Sequence, residues 1–280
     1  LPIHLPNIAT NEKAMFLNYK EYGEGQPLLI LHGFMGSLDN WHTLASNFGK
    51  RYHVFAIDQR NHGRSPHTDE HSIALMVADL KQFIEQHHLS NVNLLGHSMG
   101  GKVVMQFALL YPELVQTVII VDIAPKQYKR GHDDVFEAIF SVDLNSLESR
   151  KQAEEMMLPY VQDFGTRQFL LKNLDRKEDG KYAWKMNLRT LHMDYEEIIK
   201  SIESEQKFLG KTLVIKGGKS RYILESDQAD FAHLFPKYTM ETIEGAGHWV
   251  HAEAPAEFQK LVESCLYYSI SAFIFWIDAW

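Results

Sequence analysis

Cysteine is almost missing. Cys265 stands alone in 280 residues, so no internal disulfide can form and the chain asks nothing of an oxidising compartment. It also lies late and far from any base motif, which argues against thiol chemistry. A long apolar run is absent too: the aromatic-rich end after Cys265 is about 15 residues, short of the roughly 20 needed to span a bilayer. Stable membrane insertion is therefore not expected, and this tail reads as an extra packed segment or a contact in a homo-oligomer. There is no basic surplus. With 28 Lys and Arg against 36 Asp and Glu, interspersed along a chain of net charge −8, the footprint of a nucleic-acid partner is lacking. The first residues carry no basic start, apolar core or small-residue cleavage site, so a cytoplasmic protein is expected. The chain opens on Leu1 rather than Met, and processing of a longer precursor stays open.

Apolar residues at 45% with 23% charged suit a chain that buries one sizeable core. Short apolar runs alternate with helix-length segments, the rhythm of an α/β fold with a mainly parallel central sheet flanked by helices. The strand candidates are residues 28–32, 52–58, 92–96, 117–122, 212–217 and 238–243. Several are apolar throughout, as strands covered on both faces should be. Residues 72–88, 102–111 and 254–266 space their apolar side chains at three and four, which predicts amphipathic helices. From 126 to 206 the rhythm breaks into a polar, helix-favouring stretch with no convincing strand. It reads as a helical cap insertion over the carboxyl ends of the strands, where open α/β sheets bind ligands. The core is then 1–125 with 207–268, and 269–280 is a C-terminal tail of unknown role.

Gly96-His97-Ser98-Met99-Gly100 follows a predicted strand and precedes a predicted helix. That placement is what a nucleophile elbow requires: small flanking residues allow a sharp turn that leaves the Ser98 hydroxyl exposed above the sheet. A hydroxyl is a weak nucleophile and needs a base. Of 15 histidines, most read as surface residues, but His248 lies in a small-residue loop after the last strand and before the final helix. Its neighbour His251 approaches the helix start and should point elsewhere.

An acid to orient the imidazole should fall between serine and histidine in chain order. Asp122 ends the strand beside the elbow strand and is the choice. The commoner position is after the following strand, where this chain has Gly217-Gly218-Lys219-Ser220 instead, with Asp227 further on. Oxyanion donors come from backbone N–H groups: Phe34, in the turn His32-Gly33-Phe34-Met35-Gly36, and Met99, just after the nucleophile. The segment Asp58-Gln59-Arg60-Asn61-His62-Gly63-Arg64-Ser65 reads as a structural loop. His62, His67 and His71 read as exposed helix-entry residues rather than ligands, and no metal or cofactor is expected.

With HGFMGS, DQRNHGRS, GHSMGGK, VDIAP and GAGHWVHAE in this order, the chain resembles the α/β-hydrolase family, more narrowly the bacterial YbfF-type esterases, over about residues 28 to 266. The resemblance implies an acid after the sixth strand, the place of Asp122, and a serine that joins the triad as a fourth member, the place of Ser220. It implies a carboxylesterase acting on a small-molecule ester; the insertion that roofs the site limits room, so short acyl groups are expected to be favoured. A thioesterase, an acyltransferase or a C–C bond hydrolase would use the same groups, and a ligand receptor would keep the scaffold without turnover. Dehalogenases and epoxide hydrolases resemble this fold but carry aspartate where Ser98 stands.

Overall fold

The computed structural model describes residues 15–277. Among these, the strands in chain order are β1 (Tyr19–Tyr22), β2 (Pro27–Leu31), β3 (His53–Ile57), β4 (Val92–His97), β5 (Val115–Val121), β6 (Leu174–Arg176), β7 (Tyr182–Trp184), β8 (Lys211–Gly217) and β9 (Tyr238–Ile243). Seven of them form one sheet in the order β1-β3-β2-β4-β5-β8-β9. All its pairings are parallel except that of β1 with β3.

Alternate residues of the inner strands enter different cores, because successive side chains of a strand point to opposite faces. Leu29, Leu31, Leu94, Val118 and Ile120 pack on one side with Met76, Phe83 and Phe107. Leu28, Ile30, Leu95, Ile119 and Val121 pack on the other with Trp41, Phe48, Phe258 and Val262. Both faces are covered, which is why these strands read as unbroken apolar runs. The helices that cover them are α1 (His42–Phe48), α2 (Ile73–Gln86), α3 (Met99–Leu110) and the three helices that follow β8. Ser72 caps α2, its hydroxyl accepting from Leu75 N at 3.2 Å, a favoured N-cap arrangement.

Between β5 and β8 lie α4 (Asp133–Phe140), α5 (Arg150–Met157), α6 (Phe164–Leu171), the β6–β7 pair, α7 (Leu188–Met193) and α8 (Tyr195–Ile199). None of them joins the main sheet. The chain leaves and re-enters the core side by side, with Tyr128 N bonded to Ile199 O at 2.8 Å and Ile202 N to Pro125 O at 2.6 Å. The elements α9 (Gln228–Leu234), α10 (Val250–Glu253) and α11 (Pro255–Ile277) complete the chain.

All six expected strands are present. The structure adds three that the apolar pattern does not reveal. β1 is a polar edge strand, Tyr-Lys-Glu-Tyr, held to β3 through its backbone, and charged residues on such an edge discourage further pairing. β6 and β7 pair antiparallel inside the 126–206 stretch, correcting the expectation that it holds no strand; three residues are too few to leave a period-two signal. Among the described strands Asp122 follows the fifth, not the sixth. The last helix continues past residue 266 to Ile277, so the expected tail begins as helix, while a packing or oligomer role for its side chains falls outside the described residues. No helix among the described residues is long and apolar enough to cross a membrane.

Phe258 is fully buried between α11 and the sheet. Phe258→Ala should cost about 3–5 kcal/mol through lost transfer energy and a residual cavity, read as a fall in the urea midpoint with an unchanged m-value.

Candidate active site

Ser98 joins β4 directly to α3 with φ +52° and ψ −117°, a conformation that residues bearing a Cβ rarely adopt. The two glycines of the motif make room for it. A Cβ on Gly96 would sit 2.2 Å from Gly100 O, and one on Gly100 would sit 2.6 Å from Leu31 O. The elbow is held to the next strand by Ser98 N, which bonds Val121 O at 3.0 Å.

Asp122, at the end of β5, has no exposed surface and also lies in left-handed backbone, with φ +49°. Its Oδ2 accepts from His248 Nδ1 at 2.7 Å and from the Ser220 hydroxyl. Its Oδ1 accepts from Gly217 N at 3.0 Å. A carboxylate so placed fixes the tautomer that leaves His248 Nε2 unprotonated, the form a general base needs. Tyr222 lies flat on the imidazole, with centroids 3.8 Å apart and planes 15° off parallel, and its N–H donates to Ser220 Oγ at 3.2 Å. His248 and Ser98 line one cleft of about 50 Å³, and Ser98 also opens onto an adjoining cavity of about 210 Å³.

The His32-Gly33 turn comes as near to the elbow as backbone allows: a Cβ on Gly33 would lie 3.2 Å from Ser98 Cβ. Phe34, next along, lines both spaces with Ser98. Met99 N–H is the first amide of α3 and has no carbonyl to bond within the helix. The Met99 amide thus adjoins the hydroxyl, and Phe34 lines the same cleft, where a developing oxyanion would need donors.

A family model for the alpha/beta hydrolase fold matches residues 26–255. The chain belongs to the α/β-hydrolase family. Esterase YbfF of Escherichia coli (strain K12) is 35% identical over 230 residues, covering 82% of this chain and 88% of that protein. An sn-1-specific diacylglycerol lipase of Danio rerio is 36% identical over 245 residues, covering 84% and 77%. Among solved structures, a marine microorganism esterase superposes with a TM-score of 0.87 at 39% identity, covering 89% of this chain and 99% of that one.

Asp227, the rival acid of this α/β-hydrolase, is engaged elsewhere: its Oδ2 binds Lys126 Nζ at 2.5 Å and Leu224 N at 2.8 Å. His251, the rival base, is buried and stacked on Trp41 with centroids 4.2 Å apart. Burial lowers its pKa to about 3. The expectation of exposed histidines is corrected at two positions, because His62 and His71 are buried while His67 is exposed. His32, His97 and His251 are also buried, while most of the described histidines keep some exposure, as expected. His251 packs on Trp41, His97 on His251 and His62 on His32, contacts between segments far apart in sequence that nothing local reports. No group of residues suited to hold a metal occurs among the described residues.

Several site residues escaped the sequence reading. His97, inside the elbow motif, donates from Nε2 to His248 O at 2.9 Å and so holds the base loop against β4. Lys102 is buried one turn into α3, its ammonium donating to Lys126 O at 3.2 Å and to Lys200 O, with the Tyr128 ring 4.9 Å away. Burial brings its pKa down to about 7. It thus binds both ends of the insertion to the core. From the insertion itself His132 and Tyr195, hydrogen-bonded to each other, face Ser98 across the cavity. Burial raises the Tyr195 pKa to about 12. Only their spacing in three dimensions identifies them.

Buried neutral histidines make stability depend on pH. His71 and His251 take up a proton near pH 6.5 when unfolded but only near pH 3 when folded, so in that window the unfolded chain holds more protons. Acidification from pH 6.5 downward should therefore destabilise the fold by up to about 1.4 kcal/mol per pH unit for each ring, measured as urea midpoints between pH 7 and 5. Asp122→Asn should lower kcat by about three to four orders of magnitude, as expected when the base loses its carboxylate. Ser220→Ala should cost about one to two orders, its hydroxyl supporting the acid through one hydrogen bond. Assays of both beside Asp227→Asn should leave the last within a few-fold of the parent; an inactive Asp227→Asn with an active Asp122→Asn would reassign the acid.

Proposed function

We infer that this chain is a carboxylic ester hydrolase working through an acyl-enzyme on Ser98. The observation that carries the reading is the 2.7 Å bond between His248 Nδ1 and the buried Asp122 carboxylate, with the same imidazole lining one cleft with the strained Ser98. His248 takes the serine proton as Ser98 Oγ attacks the ester carbonyl, and Asp122 stabilises the resulting imidazolium. The carbonyl oxygen, now negative, receives the N–H groups of Phe34 and Met99. Collapse of the tetrahedral adduct expels the alcohol, which leaves with the proton from His248. A water molecule repeats the sequence on the acyl-enzyme and frees the acid.

The 126–206 insertion acts as a cap over the core formed by 1–125 and 207–268, and it closes the acyl side with Tyr195, Ile198 and Ile199. A cavity of about 210 Å³ is smaller than sites that engulf drug-sized ligands, so esters of short acids are the substrates. A buried, unpaired Cys265 suits a cytoplasmic setting, where thiols stay reduced.

Ser98→Ala should abolish turnover of p-nitrophenyl esters and labelling by a fluorophosphonate while leaving the thermal midpoint nearly unchanged. Residual catalysis of about a thousandfold over water should remain from the oxyanion donors and binding. Among esters, acyl chains of about two to six carbons should show the highest kcat/KM, because the cavity beside Ser98 is small. Retained labelling of the alanine variant, or a peak at long chains, would refute the corresponding part of the reading.

A further inference from the structure

The loop from Asp58 to Ser65 takes no part in the chemistry just described, yet it grips the turn that carries the Phe34 amide. That turn is closed by Gly36 N donating to Gly33 O at 2.9 Å, and its third residue, Met35, has φ +56°. A type II turn reserves this position for glycine or asparagine. Methionine there needs an external hold, and it has one on each side. Met35 N–H donates to His62 Nε2 at 3.2 Å. Met35 C=O accepts from Asn173 Nδ2 at 2.6 Å.

Both holders are themselves fixed. His62 is buried and donates from Nδ1 to Arg60 O at 2.9 Å, which leaves Nε2 as the acceptor that Met35 requires. Burial first, then the neighbouring His32 and His71, keep the ring neutral. The loop behind it is tied down by Asp58, which accepts from Leu38 N at 2.7 Å and Arg64 N at 2.9 Å. Gly63 passes so close to that carboxylate that a Cβ there would lie 2.2 Å away. Asn173 comes from the insertion. It is buried at the foot of the β6–β7 hairpin, its own carbonyl accepting from Lys185 N at 2.8 Å. The same hairpin leads to Asn187, whose N–H bonds Asn61 O at 2.9 Å.

We propose that His62 and Asn173 are positioning residues that hold the oxyanion turn in its left-handed form, so that the oxyanion hole is complete only while the cap is seated. The proposal rests on the reading of Phe34 N–H as an oxyanion donor. Its physical content is that a strained turn relaxes when released, and a relaxed turn moves the donor away from the place where charge develops.

The test compares kcat and KM on p-nitrophenyl acetate with the inhibition constant of a trifluoromethyl ketone. Ser98 Oγ adds to the ketone carbon, the carbonyl electron pair moves onto oxygen, and the serine proton passes to His248, so the adduct needs the oxyanion hole as the reaction does. Asn173→Asp keeps the shape and removes the donor. It should lower kcat about 10- to 100-fold, less than the loss of a donor outright, with KM within about twofold, and raise the ketone inhibition constant in parallel with the loss of kcat. His62→Leu should behave alike, whereas His62→Gln, whose Oε1 can accept from Met35 N–H, should recover most of the activity; this pair decides the matter if Asn173→Asp fails to fold. An Asn173 or His62 variant that raises KM alone, or loses kcat with unchanged ketone affinity, overturns the proposal. Fluorophosphonate labelling of the parent protein separates the two readings: an unlabelled parent removes the serine mechanism itself, while a labelled parent with fully active variants removes only the coupling to the cap.

Discussion

A carboxylate without solvent is the constraint on which the site depends. Asp122 is wholly buried, and an ion in that position is tolerable only when its lone pairs are satisfied. The donors come from two other segments: the amide of Gly217 and the hydroxyl of Ser220 at the end of β8, and the imidazole of His248 in the loop after β9. Satisfying one charge therefore gathers three chain segments over the carboxyl ends of the sheet. The backbone of Asp122 bonds Ile215 O at 2.8 Å, so the acid is part of the β5–β8 seam rather than a side chain reaching from a loop. Catalysis inherits its precision from this.

Around that carboxylate, strain and close packing set the remaining geometry. Ser98, Met35 and Asp122 all carry positive φ without being glycine; Ser98 and Met35 line one cleft, and Asp122 lies buried behind it, bonded to His248. Each is held by neighbours that leave it no alternative: Ser98 by the crowding at Gly96 and Gly100, Asp122 by the strand seam, and Met35 by groups from the 58–65 loop and the insertion. Strained residues persist where the surroundings over-determine them. Donors held in this way can meet a developing charge without reorganising, an economical way to stabilise a transition state.

The insertion is more than a roof. Lys102 binds carbonyls at both of its ends, Tyr195 and His132 complete the cavity wall, and Asn173 reaches the oxyanion turn. Residues 126–206 are thus tied to the core at several points and line the cavity beside Ser98.

The sheet was legible in the sequence because its inner strands are buried on both faces, and an unbroken run such as Thr117 to Val121 admits few other readings. Ser98 was legible because a sharp strand-to-helix turn demands small residues at fixed spacing, and His248 because a small-residue loop after the last strand returns to the same end of the sheet. Asp122 was preferred over Asp227 partly on resemblance. Local pattern does not separate two carboxylates that follow neighbouring strands; in the structure Asp227 pairs with Lys126 and Asp122 with His248. The edge strand β1 and the β6–β7 hairpin left no period because one is polar and the other too short. The burial of His62, His71 and Asn173 depends on what the insertion covers, a long-range property that no window of sequence contains. Local residue spacing thus determined the chemistry of this protein, while the assembly of the oxyanion turn and the enclosure of its cavity arose only when distant segments packed against one another.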